Sequence, residues 1–138
     1  MSTLESLIRL HRWQLDERRR QLADLDTLAS KLRDEQARLA DEEKAEQGVA
    51  AQSPEAATAY GAYARRLVER RRKLAESVAS VEQQIMQARD ALSEAFREVK
   101  RYEIAAANRA AQQGKRTARR EQAGLDEIAA ETDRRRRS

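Results

Sequence analysis

Cysteine is absent from the 138 residues, which rules out disulfides, thiolate metal sites and cysteine nucleophiles. There are four glycines and one proline, so few points exist at which a helix is forced to stop. Aromatic residues make up 4% of the chain, too few to suggest a compact core of ordinary size. The longest purely apolar run, residues 104–107, is far too short to span a bilayer. The N-terminus also lacks the basic, apolar and cleavage regions of a secretory signal, so any membrane contact is expected to be made through another protein. With one histidine no second imidazole is available for a metal pair. The phosphate-binding G-x-x-x-x-G-K-[ST], the zinc-binding H-E-x-x-H and the nucleophile elbow G-x-S-x-G are all missing. The expectation is a protein that is not an enzyme, with no cofactor, no metal and no small-molecule ligand.

What the chain does have is charge and period. Asp, Glu, Lys and Arg make up 38% of it, and apolar residues recur in a 4,3,4,3 ladder. From Tyr60 the ladder runs through Ala64, Leu67, Leu74, Val78, Val81, Ile85, Ala88, Leu92, Ala95, Val99, Tyr102 and Ala106, broken only by Arg71. Before residue 50 the same spacing picks out Leu4, Ile8, Leu15, Leu22, Leu25, Ala29, Leu32 and Leu39, with His11, Arg18 and Gln36 as its polar members. A strict 3.5-residue repeat keeps one narrow stripe facing a partner helix, which is the requirement of a left-handed coiled coil.

The one interruption reads as a turn. Ser2 and Glu5 form an S-x-x-E capping box before the first seam residue, so helix 1 is expected over about 3–47. Gly48 suits a left-handed helix end, and Ser53-Pro54-Glu55 reads as an N-cap, a first-turn proline and an acid favoured by the helix dipole. This predicts a turn at about 48–53, helix 2 over about 54–112, and a weaker helical tail over about 113–133 that frays at Gly114 and Gly124. A proline inside a continuous helix would cost about 3 kcal/mol, which favours folding back over a long-helix dimer. The expected fold is therefore all-α and a single domain: two long helices in an antiparallel coiled-coil hairpin, the second longer and overhanging the first. A tight bend near residues 50 and 51 would set Leu39 opposite Tyr63, Leu22 opposite Val81 and Leu4 opposite Val99.

Function must then lie on surfaces and ends. Arg65, Arg66, Arg70, Arg71, Arg72 and Lys73 form a basic cluster, but the hairpin sets it opposite Asp34, Glu35, Asp41, Glu42 and Glu43, giving most of those charges a structural use. Single-strand nucleic-acid binding would also want interleaved aromatics, which are lacking. Apolar residues that miss the seam are more telling. Leu7, Leu10 and Trp13 on helix 1, with Phe96 facing the region of Leu7 from helix 2, form a candidate partner patch near the open end. In the tail Leu125 and Ile128 share one helical face with nothing in helix 1 left to meet them. Residues 107–138 hold 9 basic and 5 acidic groups, so the net positive charge of the chain is concentrated there.

Three segments in order carry a resemblance. They are residues 6–20, reading SLIRLHRWQLDERRR, residues 88–100, reading ARDALSEAFREVK, and residues 121–129, reading EQAGLDEIA. Their order and spacing are similar to those of the FliJ family of flagellar type III export components, in the style of its alphaproteobacterial members. The resemblance implies a cytoplasmic protein, peripheral at the inner membrane, with a coiled coil like the stalk of rotary ATPases. It further implies contact with the export ATPase ring, with the export-gate membrane protein and with substrate chaperones. It is also expected to promote substrate export and flagellum assembly. The alternatives are a stalk protein of a virulence type III secretion system and a nucleic-acid-associated coiled coil with a basic tail. Leu7, Leu10, Trp13 and Phe96 at the open end, and Leu125 and Ile128 in the tail, are the candidate partner-binding residues.

Overall fold

The computed structural model describes residues 2–138. Two helices account for almost all of them, α1 over Thr3–Ala50 and α2 over Pro54–Arg137, packed against each other as a hairpin. The start of α1 is the expected capping box. The Glu5 amide donates to Ser2 Oγ at 3.1 Å, while the Ser2 amide donates to Glu5 Oε2 at 3.2 Å. Two amide donors that no helical carbonyl could take are thereby satisfied. The start of α2 is similar: the Ala56 amide donates to Ser53 Oγ at 3.0 Å, Pro54 opens the helix and Glu55 stands in its first turn.

The turn differs from expectation in a way that identifies its cause. α1 does not end at Gly48 but runs through it to Ala50, and no described glycine has a positive φ. The stop comes from Pro54 instead. Its ring pushes Ser53 out of helical geometry and it has no N–H to continue the ladder. The turn thus shrinks to residues 51–53, closed by the Ala51 amide donating to the Gln47 carbonyl at 3.2 Å and the Gln52 amide to the Val49 carbonyl at 3.1 Å. At the other end, α2 passes unbroken through Gly114 and Gly124, where fraying was expected. The alanines, glutamines and arginines around them are good helix formers, and Arg134–Arg137 oppose the negative end of the helix dipole.

The chain divides into two compact units. In the unit formed by Gln14–Ala95, the buried residues are Leu15, Ala29, Leu39, Leu67, Val81 and Ile85, all on the seam. Ala29, Val81 and Ile85 form one cluster, with Leu22, Leu25 and Leu32 packed on it. Each leucine, valine or isoleucine among them contributes about 2 kcal/mol when removed from water. Cross-helix ion pairs flank this stripe: Arg33 with Glu82 at 3.2 Å, Arg70 with Glu42 at 3.7 Å, and Arg71 with Glu43. Arg18 and Arg71, the seam arginines, are exposed; Arg18 turns to Gln21 at 3.2 Å and Arg71 to Glu43. Both carry their charged heads to the edge of the thin interface while their stems cover it. Arg72, by contrast, is held within its own helix by Glu69 and Glu76.

In the unit that joins the stretch up to Trp13 to Phe96–Ser138, Ile8 and Val99 are buried. Leu4 shares a surface hollow with Ala106 and Arg109, not with Val99. The helices are therefore paired about one heptad further along α2, roughly 10 Å, than a tight bend would give. The reason lies in the repeat. Sliding an a/d seam by seven residues presents the same positions to the partner, so apolar period alone leaves the register open. From residue 107 onward every residue of α2 is exposed, because α1 has run out.

Candidate partner-binding surfaces

The open end is built around two contacts between the helices. His11 lies on the ring of Tyr102, with centroids 4.6 Å apart and planes inclined by 20°. One residue on, Arg12 Nη2 donates to Glu103 Oε1 at 3.2 Å, and Lys100 Nζ approaches the other oxygen of Glu103 at 3.5 Å. Arg12, whose hydrogen bond is the largest influence, holds the Glu103 carboxyl below its ordinary range, with Lys100 adding to the effect. These contacts fix which faces of the two helices look outward.

Of the residues expected to form an apolar patch, Leu7 is half-buried against the helix pair. Leu10, Trp13 and Phe96 are exposed, with 47%, 59% and 47% of their surfaces open. Phe96 does not face Leu7. It stands six residues before Tyr102, about 9 Å further towards the turn, while Tyr102 itself is across from His11. This is the register slide again: Phe96 lies past Trp13. Lys100 Nζ stands over the Phe96 ring at 5.4 Å from its centroid, a cation–π contact.

Leu125 and Ile128 are more exposed still, at 61% and 63%. Sequence reasoning passed over Ile104, which is 60% exposed and only two positions beyond the seam residue Tyr102. Its signal was present, an isoleucine off the seam beside a seam tyrosine, but it was read as part of an apolar run. Met86, also off the seam, is 67% exposed and lies with Asp26, Arg33 and Arg89 at a hollow on the other unit.

The basic cluster serves structure only in part. Arg70 and Arg71 meet Glu42 and Glu43 across the helix pair, and Arg72 meets acids of α2. Beside them the Tyr63 hydroxyl is covered and has no hydrogen-bond partner among the described residues. Burial pushes its pKa upward, followed by Glu42, which stands close enough for a marginal interaction with the hydroxyl but outside good hydrogen-bond geometry. Among the described residues no three His, Asp or Glu side chains come together as a metal site, and no helix is long and apolar enough to cross a membrane. What these surfaces offer chemically is apolar contact framed by charge, the makings of protein recognition.

Comparison with known proteins adds one result. The family described as flagellar FliJ protein matches residues 1–138, the whole chain. No curated protein and no solved structure matches it.

Proposed function

Because the chain belongs to the FliJ family, and so is a component of the flagellar type III export apparatus, we propose that it serves there as a coiled-coil stalk and general chaperone. The family is a non-catalytic part of that apparatus. In this reading the protein contacts the export ATPase ring and the export-gate membrane protein, and hands on substrate chaperones. It works at the cytoplasmic face of the inner membrane, held there by its partners. The observation that carries the proposal is the family match along the full length. Two features of the hairpin support it. Beyond the start of α1, α2 runs on alone, so this unit presents a helix pair and a lone helix, two different surfaces for two different partners. The exposed Leu10, Trp13 and Phe96 lie on the paired part of that unit, whereas Leu125 and Ile128 mark the lone helix. Leu7 supports the first group from beneath, being half-buried.

The test is capture from cell lysate with the intact protein, with Trp13→Ala, and with a version truncated after Ala106. The intact protein is expected to retain the export ATPase. Trp13→Ala is expected to weaken capture at least about fivefold, the loss of an exposed aromatic anchor. Deleting the gene is expected to abolish motility. A motile deletion strain, or an intact protein that captures no member of the export apparatus, overturns the reading.

A further inference from the structure

The lone part of α2 carries a second seam that α1 does not use. Ala107, Ala111, Gly114, Ala118, Leu125 and Ile128 follow a 4,3 spacing, with Glu121 as the single charged member between Ala118 and Leu125. The stripe is not a continuation of the hairpin seam. That seam would proceed from Ala106 to Arg109, Gln113 and Arg116, whereas the new one starts one residue later and so is turned by about 100° around the helix. Every member is exposed. A Cβ built on Gly114 meets nothing within 4 Å, so no contact inside the chain requires glycine there, although glycine in an exposed helix is poorly suited to it.

The charges of the same segment are segregated. Residues 107–120 hold five basic and no acidic side chains; residues 121–133 hold five acidic and no basic ones. Like charges consequently stand one turn apart, Lys115 with Arg119, Arg116 with Arg120, and Glu127 with Glu131, an arrangement that disfavours a solitary helix. The hairpin region does the opposite, joining Arg19 to Asp16, Arg72 to Glu69 and Glu76, and Arg101 to Glu98, whereas in the tail, among the described residues, only Glu131 and Asp133 are ion-paired, with Arg135 and Arg137. None of the five basic residues of 107–120 has an ion pair among the described residues; Arg109 shares a hollow with Glu5, and the other four have their nearest acids in the following block.

We propose that this tail is an interface for a second copy of the same chain, the two tails pairing antiparallel about a two-fold axis between Ala118 and Glu121. The partner is identified by complementarity. Antiparallel pairing about that axis lays the basic block of each copy on the acidic block of the other. It also sets Gly114 against Leu125 and Ala111 against Ile128 of the second copy, small against large at each level. Antiparallel coiled coils join an a position to a d position at every layer, which this register does. Glu121 then meets the arginines at residues 119 and 120 of the other copy near the axis. Gly114 has a use in this arrangement, as the place where the second Leu125 approaches the backbone. The inference stands apart from the export reading, since it concerns only what the tail pairs with.

Sedimentation velocity on the full chain, from micromolar to about 1 mM, is expected to show a reversible dimer, weak because the seam is short and rich in alanine. Two quadruple variants test its basis: Lys115→Glu with Arg116→Glu, Arg119→Glu and Arg120→Glu, and Glu121→Lys with Asp126→Lys, Glu127→Lys and Glu131→Lys. Each alone is expected to dimerise at least about tenfold more weakly, and an equimolar mixture to form a heterodimer. Circular dichroism verifies that both remain helical. Since the chain has no cysteine, Ala111→Cys and Ile128→Cys report orientation: oxidation is expected to join one variant to the other and neither to itself. A chain monomeric at every concentration, a dimer indifferent to both charge variants, or Ala111→Cys coupling to itself overturns the proposal. In the first case the stripe belongs to a different protein.

Discussion

His11 and Tyr102 stack at 4.6 Å across the two helices, and this pair sets the register of the open end. His11 is a polar member of an apolar seam, and a ring facing it gives the imidazole a flat surface to cover. His11→Ala is expected to lower stability by about 1 kcal/mol, the worth of an aromatic pair beyond its area. Urea unfolding checks the loss. Hydrogen exchange should place it in the residues before Trp13 and around Tyr102, since ends with few contacts open locally first.

Next to this pair, Glu103 predicts a dependence on acid. Its carboxyl is held below the ordinary value of 4.5, chiefly by the Arg12 hydrogen bond. A folded-state pKa below the unfolded one favours the native state while pH stays above the unfolded value, and that contribution is lost as pH falls through the folded value. Wild type is therefore expected to exceed Glu103→Gln in stability at neutral pH, with the gap closing below about pH 4.5. Both side chains are open to water, so the gap is small and shrinks with salt. Thermal melts across pH, at low and high salt, read it. Glu69, lowered by its hydrogen bond to Arg72, should behave in the same sense.

The Tyr63 hydroxyl is covered and makes no well-formed hydrogen bond among the described residues. Tyr63→Phe is therefore expected to leave the unfolding midpoint unchanged or to raise it, because at most a marginal interaction with Glu42 is lost and a poorly paired polar atom is removed. Burial, then Glu42, raises the phenol pKa above its ordinary 10.0. Such a group favours the folded state fully below the unfolded value, and the contribution disappears as pH climbs through the folded one. Ultraviolet titration should show one tyrosine ionising late, absent in Tyr63→Phe.

Gly48 and Ser53 separate the two accounts of the turn. Were Gly48 left-handed, alanine there would destabilise the protein. As it lies inside α1 with open space at its Cβ, Gly48→Ala is expected to stabilise by up to about 1 kcal/mol. Ser53→Ala removes the acceptor of the Ala56 amide and is expected to cost about 1 kcal/mol. Equilibrium denaturation of the two variants beside wild type gives both signs.

Much of the candidate surface was legible in the sequence, because an apolar residue that misses a strict 3.5 period has nowhere in a two-helix interface to go. Leu10 and Trp13 are exposed for that reason, and Leu125 and Ile128 because α1 does not reach them. Leu7 sits beside the seam and is half-covered, since a real interface is wider than its two central positions. The grouping of Phe96 with Leu7 was not legible, because it depends on how far one helix slides along the other.

That contrast divides the whole protein. Period, capping and a single proline determined that there are two helices, which stripe each one buries, and that Pro54 stops the first, because these depend on residues within a few turns of one another. The level at which the helices meet was decided only in the folded chain. A seven-residue slide leaves the seam unchanged, so the choice fell to contacts between distant residues, among them His11 with Tyr102, Arg33 with Glu82 and Glu43 with Arg71.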